Sequence, residues 1–196
     1  MKKELIVDRW GNLYGFEILT QEGKEGNDKE AITRIIKEIA PYFRKGAKMF
    51  VNLPPSALFV EEIVELLHKL KSYADVVIEI IETERFDPLS LPDIGIPYAL
   101  DDCGTGYASL CVLLKALESK AFKYVKIDRT IFTRLIRKRE GRKFLLALCT
   151  VIRESGKRVI FEKVESKEEF YQLVFLSPEE SLFQGFYIER TFRKVL

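Results

Sequence analysis

Glu17, Asn52, Glu79, Glu82, Asp101, Asp102, Lys126, Asp128, Glu162, Glu165 and Gln184 share one feature. Each falls at or just past the end of a short apolar run. If those runs are strands of one parallel sheet, their last residues converge on one rim. An ordinary core cannot hold that many acids together without a cation to neutralise them. Carboxylate and amide oxygens are hard donors that suit Mg²⁺ or Mn²⁺. Zinc fits poorly, because the sole histidine, His68, lies in a helical pattern and Cys103, Cys111 and Cys149 have no CxxC spacing. Two divalent ions a few ångströms apart clamp a phosphodiester and acidify a water that can attack it. Asp101-Asp102 is placed to bridge both ions, and Gly104-Thr105-Gly106 lets the backbone turn sharply away.

The elements that must position these groups are short strands alternating with helices. Strands are expected at Leu5–Val7, Tyr14–Thr20, Met49–Leu53, Val76–Ile81, Tyr98–Asp102, Tyr124–Asp128, Arg158–Val164 and Leu182–Ile188. Several are near-continuous apolar stretches, as in strands buried on both faces. Trp10-Gly11-Asn12 is turn chemistry, so the first two strands form an antiparallel hairpin. Amphipathic stripes run through Ile32, Ile35, Ile36, Ile39 and Phe43, and through Phe59, Ile63, Leu66, Leu67 and Leu70. Asn27 with Glu30, and Ser166 with Glu169, read as capping boxes; a further helix runs from about Gly141 to Ser155 and stops at Gly156. Eight strands with intervening helices predict an α/β fold, a closed (β/α) TIM-like barrel with an antiparallel first strand; an open doubly wound sheet is the alternative. Between Glu79 and Asp101 the stretch Arg85-Phe86-Asp87-Pro88-Leu89-Ser90-Leu91-Pro92 has no helical period. A crossover helix does not fit there, so the barrel is trimmed on that side.

The 196 residues, 47% of them hydrophobic, are expected to form a single compact domain over 1–196. Thirty-two basic and 30 acidic side chains leave a net charge of +2, which argues against a coat for polymeric nucleic acid or a polybasic membrane binder. The three scattered cysteines and the absence of a secretion signal in the opening residues suggest a reducing, cytoplasmic setting. No apolar run approaches the length needed for direct membrane insertion.

Taken together, the motifs resemble those of the EAL-domain family of cyclic di-GMP phosphodiesterases. Tyr14-Gly15-Phe16-Glu17-Ile18-Leu19 is similar to the family signature, with Ile for its central Ala. Phe50-Val51-Asn52-Leu53 resembles the asparagine strand, and Ile78-Glu79-Ile80-Ile81-Glu82 the E-x-T-E segment. Ala99 to Tyr107 resembles the DDFGTGY loop with Cys103 for Phe; Lys126-Ile127-Asp128-Arg129 matches KIDR; Glu162-Lys163-Val164-Glu165 resembles EGVE; and Gln184-Gly185-Phe186 resembles the terminal QG-aromatic motif. The resemblance implies hydrolysis of cyclic di-GMP to pGpG at a two-metal site using Mg²⁺ or Mn²⁺, with Ca²⁺ inhibitory. It implies Glu17, Asn52, Glu79, Asp101 and Asp102 as metal ligands. Lys126 would orient the attacking water and Glu162 would act as a base. Glu82, Glu165 and Gln184 would support the site, and Leu19, Gln21 and Lys163 would lie against substrate. A homodimer formed near the loop after Asp102 also follows from it.

The sequence departs from that pattern at several points. Gln21 stands where the family has a phosphate-binding Arg, Lys163 where it has Gly, and Thr191 where it has Pro. Only 35 positions separate Glu17 from Asn52 and 22 separate Glu79 from Asp101, both shorter than the family's intervals. A metal cage with a cut-back nucleotide cradle leaves two readings. One is a cyclic di-GMP phosphodiesterase, or a hydrolase of some other phosphodiester if the cut-back cradle admits one; the other is a catalytically inactive module that binds cyclic di-GMP or a protein partner. Other residues carry structural readings beside the functional ones. His68 reads as structural and Cys103 as packing. Asp128 is open between a helix cap or Arg129 partner and a functional acid. Lys163 is open between a solvated side chain and a phosphate contact, and Arg134–Arg142 reads as an exposed helix junction.

Overall fold

Asp8 and Gly11 set the first turn. Asp8 Oδ1 accepts hydrogen bonds from the backbone N–H groups of Trp10 and Asn12, both at 2.9 Å, and Gly11 takes φ +85°. The chain therefore reverses between β1 (Lys2–Val7) and β2 (Leu13–Leu19), which pair antiparallel. In this computed structural model, which describes residues 1–19, 28–81, 85–103 and 109–193, six further strands complete the sheet. They are β3 (Lys48–Leu53), β4 (Asp75–Ile80), β5 (Tyr98–Cys103), β6 (Phe122–Ile127), β7 (Arg158–Phe161) and β8 (Leu182–Gln184). Strands β2 to β8 run parallel, and β8 returns to pair antiparallel with β1, closing an eight-stranded barrel. The open-sheet alternative is thereby excluded.

Helices cover the outside: α1 (Asp28–Glu38), α2 (Glu61–Lys71), α3 (Leu110–Glu118), α4 (Arg129–Ile136), α5 (Arg139–Glu154), α6 (Lys167–Leu176) and α7 (Phe186–Phe192). Ile32, Ile35, Ile63, Leu67, Leu113, Phe132, Leu145, Cys149, Ile152 and Phe170 pack against the outward strand residues as one continuous core. The capping box expected on α6 forms with its return bond shifted one residue, to Glu165. Ser166 Oγ accepts from Glu169 N–H at 3.2 Å, and Glu169 Oε2 accepts from Glu165 N–H at 2.8 Å. Asn27, of the other expected box, lies outside the described residues. Between β4 and β5 the described residues contain no helix, as the prolines imply; Phe86, Leu91 and Ile94 fill that side instead.

Some boundaries differ from expectation. The run Leu182–Ile188 is a strand only to Gln184; Gly185, at φ +137°, ends it and α7 begins at Phe186. The run Arg158–Val164 stops pairing as a strand at Phe161, because positive φ at Lys163 turns the chain out of the ladder. Phe59 does not join the buried stripe of α2. It lies in a 3₁₀ turn (Pro55–Phe59), exposed, where Pro54-Pro55 delays the helix to Glu61. Phe43 follows a 3₁₀ turn (Ala40–Tyr42) instead of lying on α1, since Pro41 cannot continue the α-helical ladder. The helix expected from Gly141 begins earlier, at Arg139.

Gly185 is required by space as well as by φ. A Cβ there would meet Val164 N at 2.2 Å and Val164 O at 2.6 Å. Gly185→Ala is accordingly expected to lose roughly 3 kcal/mol or more of stability, combining the strain of a glycine-only conformation with a backbone clash. Chemical denaturation checks this; a loss under about 1 kcal/mol would mean that the β8–α7 junction re-forms around the methyl group.

Candidate metal centre

The barrel interior is built in layers by the two-residue period of its strands. Phe50, Val77, Ala99, Tyr124, Ile160 and Leu182 point inward and pack into one apolar plug with Ile6 and Tyr14. Two residues further along each strand, on the same face, come Asn52, Glu79, Asp101, Lys126, Glu162 and Gln184. A polar ring therefore sits directly on the plug, at the C-terminal mouth of the parallel strands. Glu17 completes it from β2, beside Phe50 in register.

Lys126 occupies the centre of this ring. Its Nζ lies 3.3 Å from Glu17 Oε2, 2.7 Å from Glu79 Oε1, 3.1 Å from Asp101 Oδ1 and 2.7 Å from Glu162 Oε1. The Lys126 side chain is 1% exposed. Burial works against its charge, but Asp101, Glu162, Glu17 and Glu79 outweigh it and raise the Lys126 pKa well above the usual lysine value. Glu17 is the firmly ionised acid. Burial opposes its charge, yet Lys126 and hydrogen bonds from Gln184 Nε2 (2.5 Å) and Asn52 Nδ2 (2.7 Å) hold it at about 2. The others move the opposite way. Burial pushes Glu162 up to about 8, and burial followed by the neighbouring Glu17 charge lifts Glu79 well above the carboxylate range. Burial also raises Asp101.

These residues fit a divalent ion. Four acids surround one ammonium, and hydrogen bonding does not exhaust their oxygens. Glu79 Oε2, Glu162 Oε2 and Asn52 Oδ1 are buried with no hydrogen-bond donor, and Glu79 Oε1 and Asp101 Oδ1 have the Lys126 ammonium nearby at 2.7 and 3.1 Å. Native interiors rarely leave that many acceptors bare, whereas metal ligands would be satisfied by an ion. A second grouping adjoins the first: Asp101, Asp102 and Glu162 each offer an oxygen, all within 4.8 Å of one another.

The structure thus brings together Glu17, Asn52, Glu79, Asp101, Asp102, Lys126, Glu162 and Gln184. Leu19 ends β2, partly buried. Glu165 is not in the ring; it is exposed and pairs with Arg129 at 3.1 Å, because the turn after β7 and the α6 cap direct it outward. Gln21, Glu82 and Gly104-Thr105-Gly106 lie outside the described residues. Asp128 caps α4, accepting from Thr130 N–H at 2.7 Å, and also pairs with Lys163. The solvated reading of Lys163 is incomplete, since its ammonium is held by Asp128 and Asp102. Arg134–Arg142 is the α4–α5 junction, His68 lies on α2, and Cys103 is buried. Glu4 was not singled out in the sequence. It accepts from Gln184 Nε2 at 3.2 Å and so braces the amide that holds Glu17. Its signal was the alternation Lys2-Glu4-Ile6 against apolar Leu5 and Val7.

Burial raises the Glu79 pKa, so Glu79→Gln, which keeps an oxygen near Lys126 without the charge, imitates the protonated side chain. We expect stability in EDTA within about 1 kcal/mol of the parent. Mn²⁺ binding is expected to weaken by more than the roughly 10–100-fold that loss of an outlying support costs. Thermal unfolding with and without Mn²⁺ checks both; a loss of several kcal/mol in EDTA would show that Glu79 is ionised.

Comparison with known proteins agrees with this architecture. The EAL domain model matches residues 28–191, and the chain belongs to that family. The probable cyclic di-GMP phosphodiesterase PdeN of Escherichia coli is 28% identical over 174 residues, 82% of this chain and 32% of PdeN. The cyclic di-GMP phosphodiesterase PdeH of the same organism is 28% identical over 147 residues, 72% of this chain and 56% of PdeH. The chain thus spans between about a third and just over half of these relatives. Klebsiella pneumoniae BlrP1, solved as a calcium/cy-diGMP complex, superposes with a TM-score of 0.73 at 22% identity, over 94% of this chain and 53% of that one. At that identity the likeness speaks for the fold alone.

Proposed function

We propose that this chain is a metal-dependent phosphodiesterase that hydrolyses cyclic di-GMP to pGpG. One observation carries the reading: a buried ring of acids with unsatisfied oxygens stands at the mouth of an EAL barrel. Relatives named as cyclic di-GMP phosphodiesterases supply the substrate class. Glu17, Asn52, Glu79 and Asp101 would hold one Mg²⁺ or Mn²⁺, and Asp101, Asp102 and Glu162 would face a second. Divalent ions there would neutralise phosphate charge and favour ionisation of an attacking water. Lys126 would steady that water among the acids. Glu162 would accept the water proton once bound cations offset the burial that raises its pKa. The water oxygen would bond to phosphorus as the P–O3′ bond breaks, and the proton taken up by Glu162 would pass to the leaving O3′. Gln184 and Glu4 fix the orientation of Glu17. The resemblance assigns a supporting role to Glu82, with Leu19, Gln21 and Lys163 as nucleotide contacts; Glu165, paired with Arg129, would act by holding the turn after β7. Ca²⁺, with longer and looser coordination, would inhibit. Exposed Leu110 and Leu114 on α3 support a homodimer.

The test is chromatographic detection of pGpG from cyclic di-GMP with Mg²⁺ or Mn²⁺, repeated with Glu17→Ala. Product that vanishes in the variant is expected. A specific observation favours the second reading, a binding module without turnover: Lys126 and Lys163 already pair with the acids. Nucleotide binding without product from folded protein would select it.

A further inference from the structure

Among the described residues, two that are not glycine have positive φ: Asp102 at +44° and Lys163 at +56°. They are the two ends of one ion pair, with Lys163 Nζ 3.1 Å from Asp102 Oδ1. Left-handed backbone is unfavourable for residues with a Cβ, more so for Lys than for Asp, so it persists where surrounding structure enforces it. For Lys163 the enforcement is visible. The next residue, Val164, donates its N–H to Gln184 O at 2.9 Å, and the ammonium rests 2.5 Å from Asp128 Oδ2. Asp128 is itself fixed as the α4 cap and is 3% exposed.

Asp102 has a second use. Its carboxylate belongs with Asp101 and Glu162 to the group whose oxygens lie within 4.8 Å. Glu162 is 5% exposed, and its Oε2 is buried without a donor, so this group contains an acceptor that an ion would satisfy. The Lys163 ammonium thus holds one of three oxygen donors from the solvent side. A divalent ion taking Asp102 would meet that ammonium within a few ångströms. Such repulsion weakens binding on the order of tenfold even at the dielectric of water.

Resting on the two-metal reading above, we propose that Lys163 is a built-in competitor for the divalent ion at Asp101, Asp102 and Glu162. Its ammonium takes Asp102 when that position lacks an ion, and swings off it when the position fills. The flexible four-carbon stem permits this, and the contact with Asp128 is kept while the one with Asp102 is given up. Lys163 therefore sets the affinity of this position through charge, and is a positioning residue with no bond to the reacting atoms.

Mn²⁺ titration, following the paramagnetic resonance signal of free ion at fixed ionic strength, tests this without measuring turnover. The proteins are the parent, Lys163→Met and Lys163→Gly. Two binding classes are expected in the parent, the weaker tightening about tenfold in both variants while the stronger changes less. A second ion that binds only in the variants is the same result at its limit. Met keeps the Cβ and its backbone strain whereas Gly removes it, so equal tightening in both assigns the effect to charge. Tightening in Lys163→Gly alone, or in neither, overturns the inference and leaves the two-metal reading standing. No saturable Mn²⁺ binding in any of the three overturns both. Should Lys163→Met not fold, Lys163→Gln supplies the same uncharged comparison.

Discussion

Asp101→Asn is expected to fold normally and to lose at least about a hundredfold of any Mg²⁺- or Mn²⁺-supported cleavage of cyclic di-GMP. Asp101 belongs to both groupings, as Glu162 does, and is the acid proposed to serve both ions: it lies 3.1 Å from Lys126 and shares the second cluster with Asp102 and Glu162. An amide presents a single oxygen and no charge, so it can neither bridge two cations nor offset their repulsion. Outlying supports of metal sites cost roughly 10–100-fold when removed, and a shared ligand should exceed that. The fold should survive, because Asp101 is the only residue changed and the plug beneath it, Ala99 against Phe50 and Tyr124, is untouched. Initial rates of pGpG formation, with circular dichroism as the control for folding, decide the matter. Turnover within a few-fold of the parent would place the metal chemistry on other residues.

The ring was legible in the sequence because strand geometry is local. A residue two places beyond an inward apolar one must lie on the same face, and in six strands that residue is Asn52, Glu79, Asp101, Lys126, Glu162 or Gln184. The motifs could be read in order without knowing the strand pairing. What depended on closure could not be read. That Lys126 is the hub of four carboxylates follows from β2, β4, β5 and β7 curving around β6, and no window of sequence contains that. Glu165 was misplaced for a related reason. Its motif continues the strand by pattern, but Lys163 turns the backbone at φ +56° and the α6 cap takes over. The apolar run after Gln184 misled in the same way: Phe186, Tyr187 and Ile188 suit a strand or a helix, and only the left-handed Gly185 chooses between them. Lys in place of the family's Gly at 163 was visible, but its consequence, an ion pair to Asp102, depends on how β5 and the turn after β7 meet at the barrel mouth.

Lys126→Met should give the largest loss of stability in metal-free protein and the largest recovery when metal is added. The parent places one buried ammonium among Glu17, Glu79, Asp101 and Glu162. Removing one partner of a buried ionic group typically costs about 3–5 kcal/mol, because the remaining charges are left uncompensated in a poor solvent. Glu79 and Glu162, already pushed toward their neutral forms by burial, can relieve part of this by holding protons. Glu17 is less able to do so, because the hydrogen bonds from Gln184 and Asn52 that favour its charged form remain in the variant. For a chain of this size, 1 kcal/mol corresponds to roughly 2–4 °C, so Tm in EDTA should fall by about 10 °C. Mn²⁺ should then restore more stability to the variant than it adds to the parent. It binds only the folded cage, and in the variant no ammonium contests the carboxylates. Calorimetric unfolding of both proteins, in EDTA and across a Mn²⁺ series, reads the two effects separately. A variant as stable as the parent without metal would mean that the four acids are already neutral together, and that Lys126 serves bound ligand instead of the cage.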